Sequence, residues 1–460
     1  MIYISAQPDE VYFLWQLELQ LHNFHAVGIG DESIHILVGF KPEKGIHPLF
    51  KNFARTHKYV QIFFYPDNRQ KKKYLSSIRP HLLAQHFSQY QALEKETIFY
   101  HDSDILFTGI PNWDNLCKDE VWYVSDTRSY LDSRYIRRFV DDDEFAQICG
   151  LLSLTPEEVM EQDENAGGAQ YILKNCTAEF WLKVENDCEL LFTYLHNRQK
   201  HSTRIHEGLQ IWCTDMWVIW WNAILQNRKF RIHPTLDFCW ADSPSDELKK
   251  KEILHYTGSK RKDICIFEKT LFQTHSPFYS DLSGITPNTC SQFVVETIKE
   301  YRKKLDEKRP SIAGVRLLLI TPEINYSIEK AKVLKCYYER YWNVDTILCA
   351  RNEVNKLIGQ CSNMANVLIP YNRIIPIKEM NVLLKYLRMY ENTSFLLKMR
   401  VWQMDSLGSH IFSKILDNDY LEENKGKTIH LSSLEDLSVI HGSAIEKELL
   451  ENQIIDVYGL

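Results

Sequence analysis

The chain has 460 residues, with 54 basic and 61 acidic side chains and a formal net charge of −7. It is 44% hydrophobic, 25% charged and 12% aromatic, which suits two or three globular domains at about 150 residues each and excludes disorder as the main state. A mildly acidic balance gives no global electrostatic claim on nucleic acid, so no nucleic-acid partner is expected.

No run approaches the roughly 18 apolar residues of a membrane span, and the opening MIYISAQPDEVYFLW lacks the basic then apolar pattern of a signal peptide. The 11 cysteines are odd in number, widely spaced and free of any C-x-x-C. That argues against a disulfide framework or a structural zinc site, and for reduced cysteines in a cytoplasmic protein.

In chain order, residues 2–5 predict a strand, 6–10 a polar loop and 11–24 a helix. Strands are expected at 34–40 (IHILVGF) and 59–65 (YVQIFFY), a helix at 79–93, and a short strand at 97–100. A strand at 121–124 follows, then helical sequence over 141–164, where Thr155-Pro156-Glu157-Glu158 is a strong helix start. A strand at 171–173 and helices at 178–194 and 209–225 complete the first part; residues 216–225 read as a buried core helix. The charged stretch 299–310 reads as a helix end or linker. Beyond it, strands at 315–320, 344–349 and 367–370 alternate with a helix at 330–342. Strands alternating with helices imply an α/β fold: a mostly parallel mixed sheet with flanking helices over 1–298, and a smaller C-terminal α/β domain over 311–460.

Four constellations carry chemistry. Asp102 and Asp104 stand one residue apart where the strand at 97–100 ends, and ligands of such sheets bind at the carboxyl ends of strands. Two adjacent carboxylates can hold a hard divalent cation that bridges to phosphate oxygens; the plain alternative is a solvated turn. His255 in Ile253-Leu254-His255-Tyr256-Thr257-Gly258 is a candidate metal ligand, with Gly258 allowing close approach to a phosphate and Lys260, Arg261, Lys262 and Lys269 beyond it. The alternatives are a structural histidine and a solvated basic run. Asn165 to Gln170, with Gly167 and Gly168 adjacent, suggests backbone close to a ligand, or a tight turn. Asp215 at a helix start is either an N-cap or, with Trp217 near it, a sugar-binding carboxylate.

Taken together, D-x-D near residue 100, N-x-G-G near 167, T-D-M-W near 215 and H-x-x-G near 255 resemble a GT-A glycosyltransferase. The set is similar to the glycogenin-like retaining family. The runs Ser77-Ile-Arg-Pro, Phe99-Tyr-His-Asp-Ser-Asp and Trp122-Tyr-Val-Ser-Asp-Thr-Arg also look like those of bacterial glycosyltransferase-like proteins. The resemblance covers about residues 1–285 and departs in two places: Ala166 replaces the family's Ser, and Gly258 is followed by Ser-Lys-Arg-Lys rather than x-x-K-P-W.

The resemblance implies a Rossmann-like GT-A domain that transfers sugar from a nucleotide sugar, UDP-linked, to a glycan, lipid-linked or protein acceptor with retention. Asp102, Asp104 and His255 would hold Mn2+ or Mg2+. Ser5 and Gln7, in the loop after the first strand, would lie near the base. Arg79, Gly258, Lys260, Arg261 or Lys269 would meet the nucleotide or diphosphate. Asp126, Arg128, Asn165, Gly167, Gly168, Gln170 and Asp215 would surround the sugar, with Asp237 and Trp240 toward the acceptor.

Other readings are weaker. A phosphatase of the haloacid-dehalogenase type would place Thr or Val where Leu106 stands, and would carry its motif on the first strand. A nucleotidyltransferase would want a Gly- and basic-rich loop where Ala6-Gln-Pro-Asp-Glu10 stands. A non-catalytic binding module would not need the intact D-x-D and His. Lys71–Lys73 reads as solvated charge, with peripheral membrane contact as the alternative. Asp417-Asn418-Asp419 is a second D-x-D, but 412–416 before it has helical rather than strand neighbours.

Overall fold

The computed structural model describes residues 1–201, 208–257, most of 264–307 and short stretches, chiefly strands, between 315 and 439. The chain divides into two compact units, Met1–Lys299 and Glu300–Leu460.

The first unit opens with β1 (Ile2–Pro8), α1 (Val11–Val27), β2 (Ile34–Phe40), α2 (Pro48–Thr56), β3 (Gln61–Pro66) and α3 (Ile78–Gln89). β4 (Ile98–Tyr100), β5 (Ile105–Phe107) and β6 (Trp122–Asp126) follow. The expected helical stretch 141–164 is broken into α6 (Asp142–Leu151), α7 (Pro156–Met160) and a 3-10 turn, after the short α4 (Arg128–Leu131) and α5 (Ser133–Ile136). A full capping box at Thr155 and Glu158 starts α7 afresh. Next come β7 (Gly167–Leu173), α8 (Ala178–Gln199), α9 (Thr214–Leu225), β8 (Phe230–Ile232), β9 (Phe238–Trp240), β10 (Ile253–His255) and α10 (Ser291–Glu307). The charged stretch after residue 299 is therefore helical as far as Glu307.

The main sheet has seven strands in the order β3-β2-β1-β4-β7-β6-β8. β1, β2, β3 and β4 are mutually parallel, and β6 is parallel to β8; β7 runs antiparallel to both β4 and β6. Six carboxyl ends and the amino end of β7 thus share one edge of the sheet. This is the α/β mixed sheet expected from the alternating pattern, and it collects the D-x-D, the end of β6 and the Gly167-Gly168 pair at one place. A small second sheet, β5-β10-β9, lies across this edge.

Both faces of the main sheet are covered. Trp15 on α1 is fully buried, as are Trp122, Trp181, Trp217, Trp220 and Trp221, most of them in a core formed with α3, α8 and α9. Residues 216–223 of α9 are all buried. Its one polar interruption, Asn222, donates to the Asp187 carboxylate at 2.8 Å and to the Val218 carbonyl at 3.0 Å, which satisfies both protons of its amide. All nine described cysteines are free, and seven are buried.

In the second unit, β11 (Val315–Thr321), β12 (Asp345–Ala350), β13 (Ala365–Pro370) and β17 (Thr428–His430) form a parallel sheet in the order β12-β11-β13-β17. β14 (Arg373–Ile374), β15 (Arg400–Met404), β16 (Ile411–Ile415) and β18 (Ser438–Val439) form an antiparallel one. The stretch before Asp417 is thus a strand, held by pairing with β15, where helical neighbours were expected. Asp417 to Asp419, and most of the helix expected over 330–342, lie outside the described residues. No helix among the described residues is long and apolar enough to cross a membrane.

Candidate metal and sugar-nucleotide site

β4 ends at Tyr100, and the chain turns through His101-Asp102-Ser103-Asp104 into β5. β10 pairs antiparallel with β5 so that His255 faces Ile105, the residue next to Asp104. The Tyr256 N–H donates to the Asp104 carbonyl at 3.1 Å. One cross-strand register therefore carries His255 to the D-x-D over 150 residues of sequence. Ligand atoms of Asp102, Asp104 and His255 all lie within 4.8 Å of one another. His255 Nε2 is 3.2 Å from Asp104 Oδ1 and 3.7 Å from Asp102 Oδ2.

The turn is held from beneath by α1. Gln20 donates to the Asp102 carbonyl at 3.0 Å, and the Ser103 hydroxyl donates to Gln16 Oε1 at 2.9 Å. Positions 16 and 20 lie one helical turn apart and share a face. Both are buried. On the same helix, Trp15 Nε1 donates to the Phe272 carbonyl at 2.9 Å, which anchors the 3-10 turn Lys269–Phe272 beside the site.

Charge around the turn is densely compensated. Arg79, in the first turn of α3, pairs with Asp102 and, at 2.9 Å, with Asp215. Tyr74 donates its hydroxyl to Asp215 Oδ1 at 2.7 Å. Lys269 pairs with Asp104. Burial would raise the Asp104 carboxyl, but the Lys269 ammonium and His255 outweigh it and hold Asp104 well below the usual carboxylate range. Asp215 is shifted the other way, raised by burial with partial relief from Arg79. Lys269 and Arg79 are both raised, because the carboxylates beside them outweigh burial.

Gln170 enters the site through a bulge. Val124 of β6 faces Tyr171 of β7 while Ser125 faces Gly168, so Ala169 and Gln170 are unpaired extras on β7. Ala169 takes a φ of 72°, the left-handed region that a bulge residue adopts at some cost. The bulge aims Gln170, fully buried, between Ser125 and the back of His255. Ser125 Oγ lies 2.7 Å from the Leu236 carbonyl and 2.6 Å from Gln170 Oε1, and Gln170 Nε2 lies 3.2 Å from His255 Nδ1.

A hydroxyl has one proton and cannot donate to both oxygens. Turning the Gln170 amide resolves this: Ser125 donates to Leu236, the Gln170 NH2 donates to Ser125, and His255 Nδ1–H donates to the Gln170 oxygen, leaving Nε2 facing carboxylate oxygens that only a cation between them would satisfy. The Nε2 lone pair of His255 then points between two carboxylates. That donor set, two carboxylates and an imidazole nitrogen oriented through its other nitrogen, suits a divalent cation.

The remaining expected residues are distributed as follows. Ser5 and Gln7 are not in a loop. β1 continues to Pro8 because its backbone keeps pairing with β2 as far as Pro8 opposite Gly39, and both side chains are buried. Gln7 donates to the Leu37 carbonyl at 2.8 Å. Asp126 and Arg128 form a two-pronged ion pair at the end of β6, 2.7 and 3.0 Å, and Arg128 also meets Glu164 at 2.9 Å. Asn165 closes the turn before β7 and is half-buried. Gly167 and Gly168 are strand residues. A Cβ on Gly167 would lie 2.4 Å from the Ser125 carbonyl, and one on Gly168 2.6 Å from the Tyr171 hydroxyl. Asp237 is half-buried, and Trp240 stacks on His255 with ring centroids 6.1 Å apart. Gly258, Lys260 and Arg261 lie outside the described residues. Gln16, Gln20, Tyr74 and Ser125 were not anticipated. The only signal for the two glutamines is their spacing of four on a helix whose other polar residues include Glu18, His22 and Asn23.

No family model matches the sequence, and no curated protein matches it. In structure the chain is similar to glycosyltransferases of the GT-A fold. The bifunctional glycosyltransferase WbbM is 11% identical over 66% of this chain, with a TM-score of 0.38. The chain spans about half of WbbM, 51% of its length. The galactosyltransferase LgtC is 13% identical over 66% of this chain and 100% of its own, with a TM-score of 0.32. The glycosyltransferase GlyE of Streptococcus pneumoniae is 10% identical over 86% of this chain and 90% of its own, with a TM-score of 0.29.

Proposed function

We propose that the chain is a metal-dependent glycosyltransferase. It moves a sugar from a nucleoside-diphosphate sugar, UDP-linked, to a glycan, lipid-linked or protein acceptor, with retention. The observation that carries this reading is the convergence of Asp102, Asp104 and His255 at the carboxyl end of β4. The catalytic domain is residues 1–298, and the enzyme is cytoplasmic.

A Mn2+ or Mg2+ ion held by these three side chains would neutralise charge on the departing diphosphate. Arg79 and Lys269 already lie against the same carboxylates and add fixed positive charge at the point where negative charge develops. Asp215 faces the site with both oxygens engaged, one by Tyr74 and one by Arg79. A carboxylate so occupied suits orienting a sugar rather than removing a proton, which favours retention over a mechanism needing a free base. Gln170 acts by orienting His255, and the ion pair of Asp126 and Arg128 lines the approach at the end of β6.

Titration calorimetry with Mn2+ tests the reading. Wild type should bind the ion, while Asp104→Asn and His255→Ala should lose it with unchanged circular dichroism. Undiminished binding in both variants would sink the assignment.

A further inference from the structure

An unbroken line of aromatic rings leads from the metal-site histidine to the surface. Trp240 stacks on His255 at 6.1 Å and 15°. Tyr130 lies 6.5 Å from Trp240, and Trp212 lies 6.4 Å from Tyr130 at 30°. Exposure rises along the line: His255 is 4% exposed, Trp240 and Tyr130 are half-buried, and Trp212 is 57% exposed. A tryptophan that open costs hydration free energy that burial in the core would have recovered. Trp212 also sits close to the site: its carbonyl lies 2.6 Å from the Tyr74 oxygen, whose one proton goes to Asp215 at 2.7 Å.

We infer that this strip, Trp240–Tyr130–Trp212, is a subsite for a neutral oligosaccharide, the acceptor of the reaction proposed above, on which reading the word acceptor rests. The C–H faces of a pyranose are apolar and lie flat on aromatic faces, while its equatorial hydroxyls point outward to polar groups. The exposed ion pair of Asp126 and Arg128, just before Tyr130, offers both an acceptor and a donor of hydrogen bonds, and Glu164 beside Arg128 leaves no excess positive charge that would call for an anionic glycan.

The side of the site also fits. The strand order β1-β4-β7-β6 leaves the D-x-D turn between β1 and the strip, whose residues follow β6, belong to β9 and precede α9. A donor lying toward β1 would leave this side open for the second substrate.

The test is saturation-transfer NMR of the full chain with cellobiose, maltose and lactose as probes, on wild type, Trp212→Ala and Trp212→Phe. At least one probe should bind wild type. Its affinity should fall about tenfold in Trp212→Ala, equivalent to about 1.4 kcal/mol, and stay near wild type in Trp212→Phe. No binding of any probe to wild type, or undiminished binding in Trp212→Ala, overturns the inference. Mn2+ titration of the same samples separates the two readings. Mn2+ binding with an unaffected sugar signal in Trp212→Ala refutes the strip alone. Sugar binding lost in that variant, with no Mn2+ binding in wild type, supports the strip and refutes the transferase.

Discussion

Gln170 shows how much of the candidate metal site depends on a side chain outside its ligand set. Its amide lies between Ser125 and His255 Nδ1; turned to present its oxygen to the ring, it accepts the Nδ1 proton and leaves Nε2 for a cation. Gln170→Met keeps the volume and removes that acceptor. Mn2+ affinity should fall about 10- to 100-fold, the usual cost of losing an outer partner of a ligand histidine, with the circular dichroism unchanged; calorimetry reads the difference.

His35 and His86, away from the site, have their titration set by burial. Buried His86 accepts from or donates to Tyr65 at 2.8 Å and His35 at 3.0 Å. Burial lowers His35 to about 4 and His86 to about 3, from an ordinary 6.5. The unfolded chain therefore binds protons that the folded one refuses, so this contribution to stability is complete above pH 6.5 and is lost as pH falls toward 3. Melting temperature should drop between pH 7 and 4, and His86→Phe should flatten that slope.

Asp102, Asp104 and His255 were legible because each residue type announces its chemistry. Gln170 was legible as a residue near the site, but its partner Ser125 was not, because an unremarked serine becomes specific only when a bulge aims a neighbour at it.

Elements place these residues more firmly than the local sequence suggests. The bulge in β7 depends on Gly167, whose missing Cβ leaves room for the Ser125 carbonyl and Val124. Gly167→Ala should cost about 1–3 kcal/mol, as overpacking usually does. The effect should appear as a lower urea midpoint, together with weaker Mn2+ binding because Gln170 shifts. The motif Asn165 to Gln170 read as a loop before a strand, since paired glycines are poor strand formers. Tertiary pairing with β6 overrode that preference and drew both glycines into β7. The same override extended β1 through Gln7. In contrast, β2 falls where alternation and apolar content placed it, because all of its signal is local. The clamp of Gln16 and Gln20 was hard to read for a simple reason: polar residues on a helix ordinarily face water, and only the packing of α1 against β5 and the turn before it turns these inward.

At the scale of the whole molecule, every described residue of the candidate site falls within Met1–Lys299, a compact unit with its own core. A fragment ending at residue 307, after α10, should fold and bind Mn2+ with the affinity of the full chain; a loss of affinity would assign part of the site to the second unit. The alternating strands of the second unit were legible from residues 315 to 370. Its antiparallel sheet was not, since short strands such as Arg373–Ile374 carry too few residues for a period to show.

Arg79 has a consequence for how this protein can change. One guanidinium holds Asp102 after β4 and Asp215 on α9, so three positions far apart in sequence share a single charge balance. Replacing Asp215 alone leaves Arg79 to Asp102 and removes the partner that Arg79 shares with Tyr74, while replacing Arg79 alone takes the guanidinium from two carboxylates. The double variant Arg79→Met with Asp215→Asn should therefore be less damaged than the sum of its parts. A change at any one of the three sites should therefore be tolerated better when another changes with it, which couples residues 79, 102 and 215 energetically.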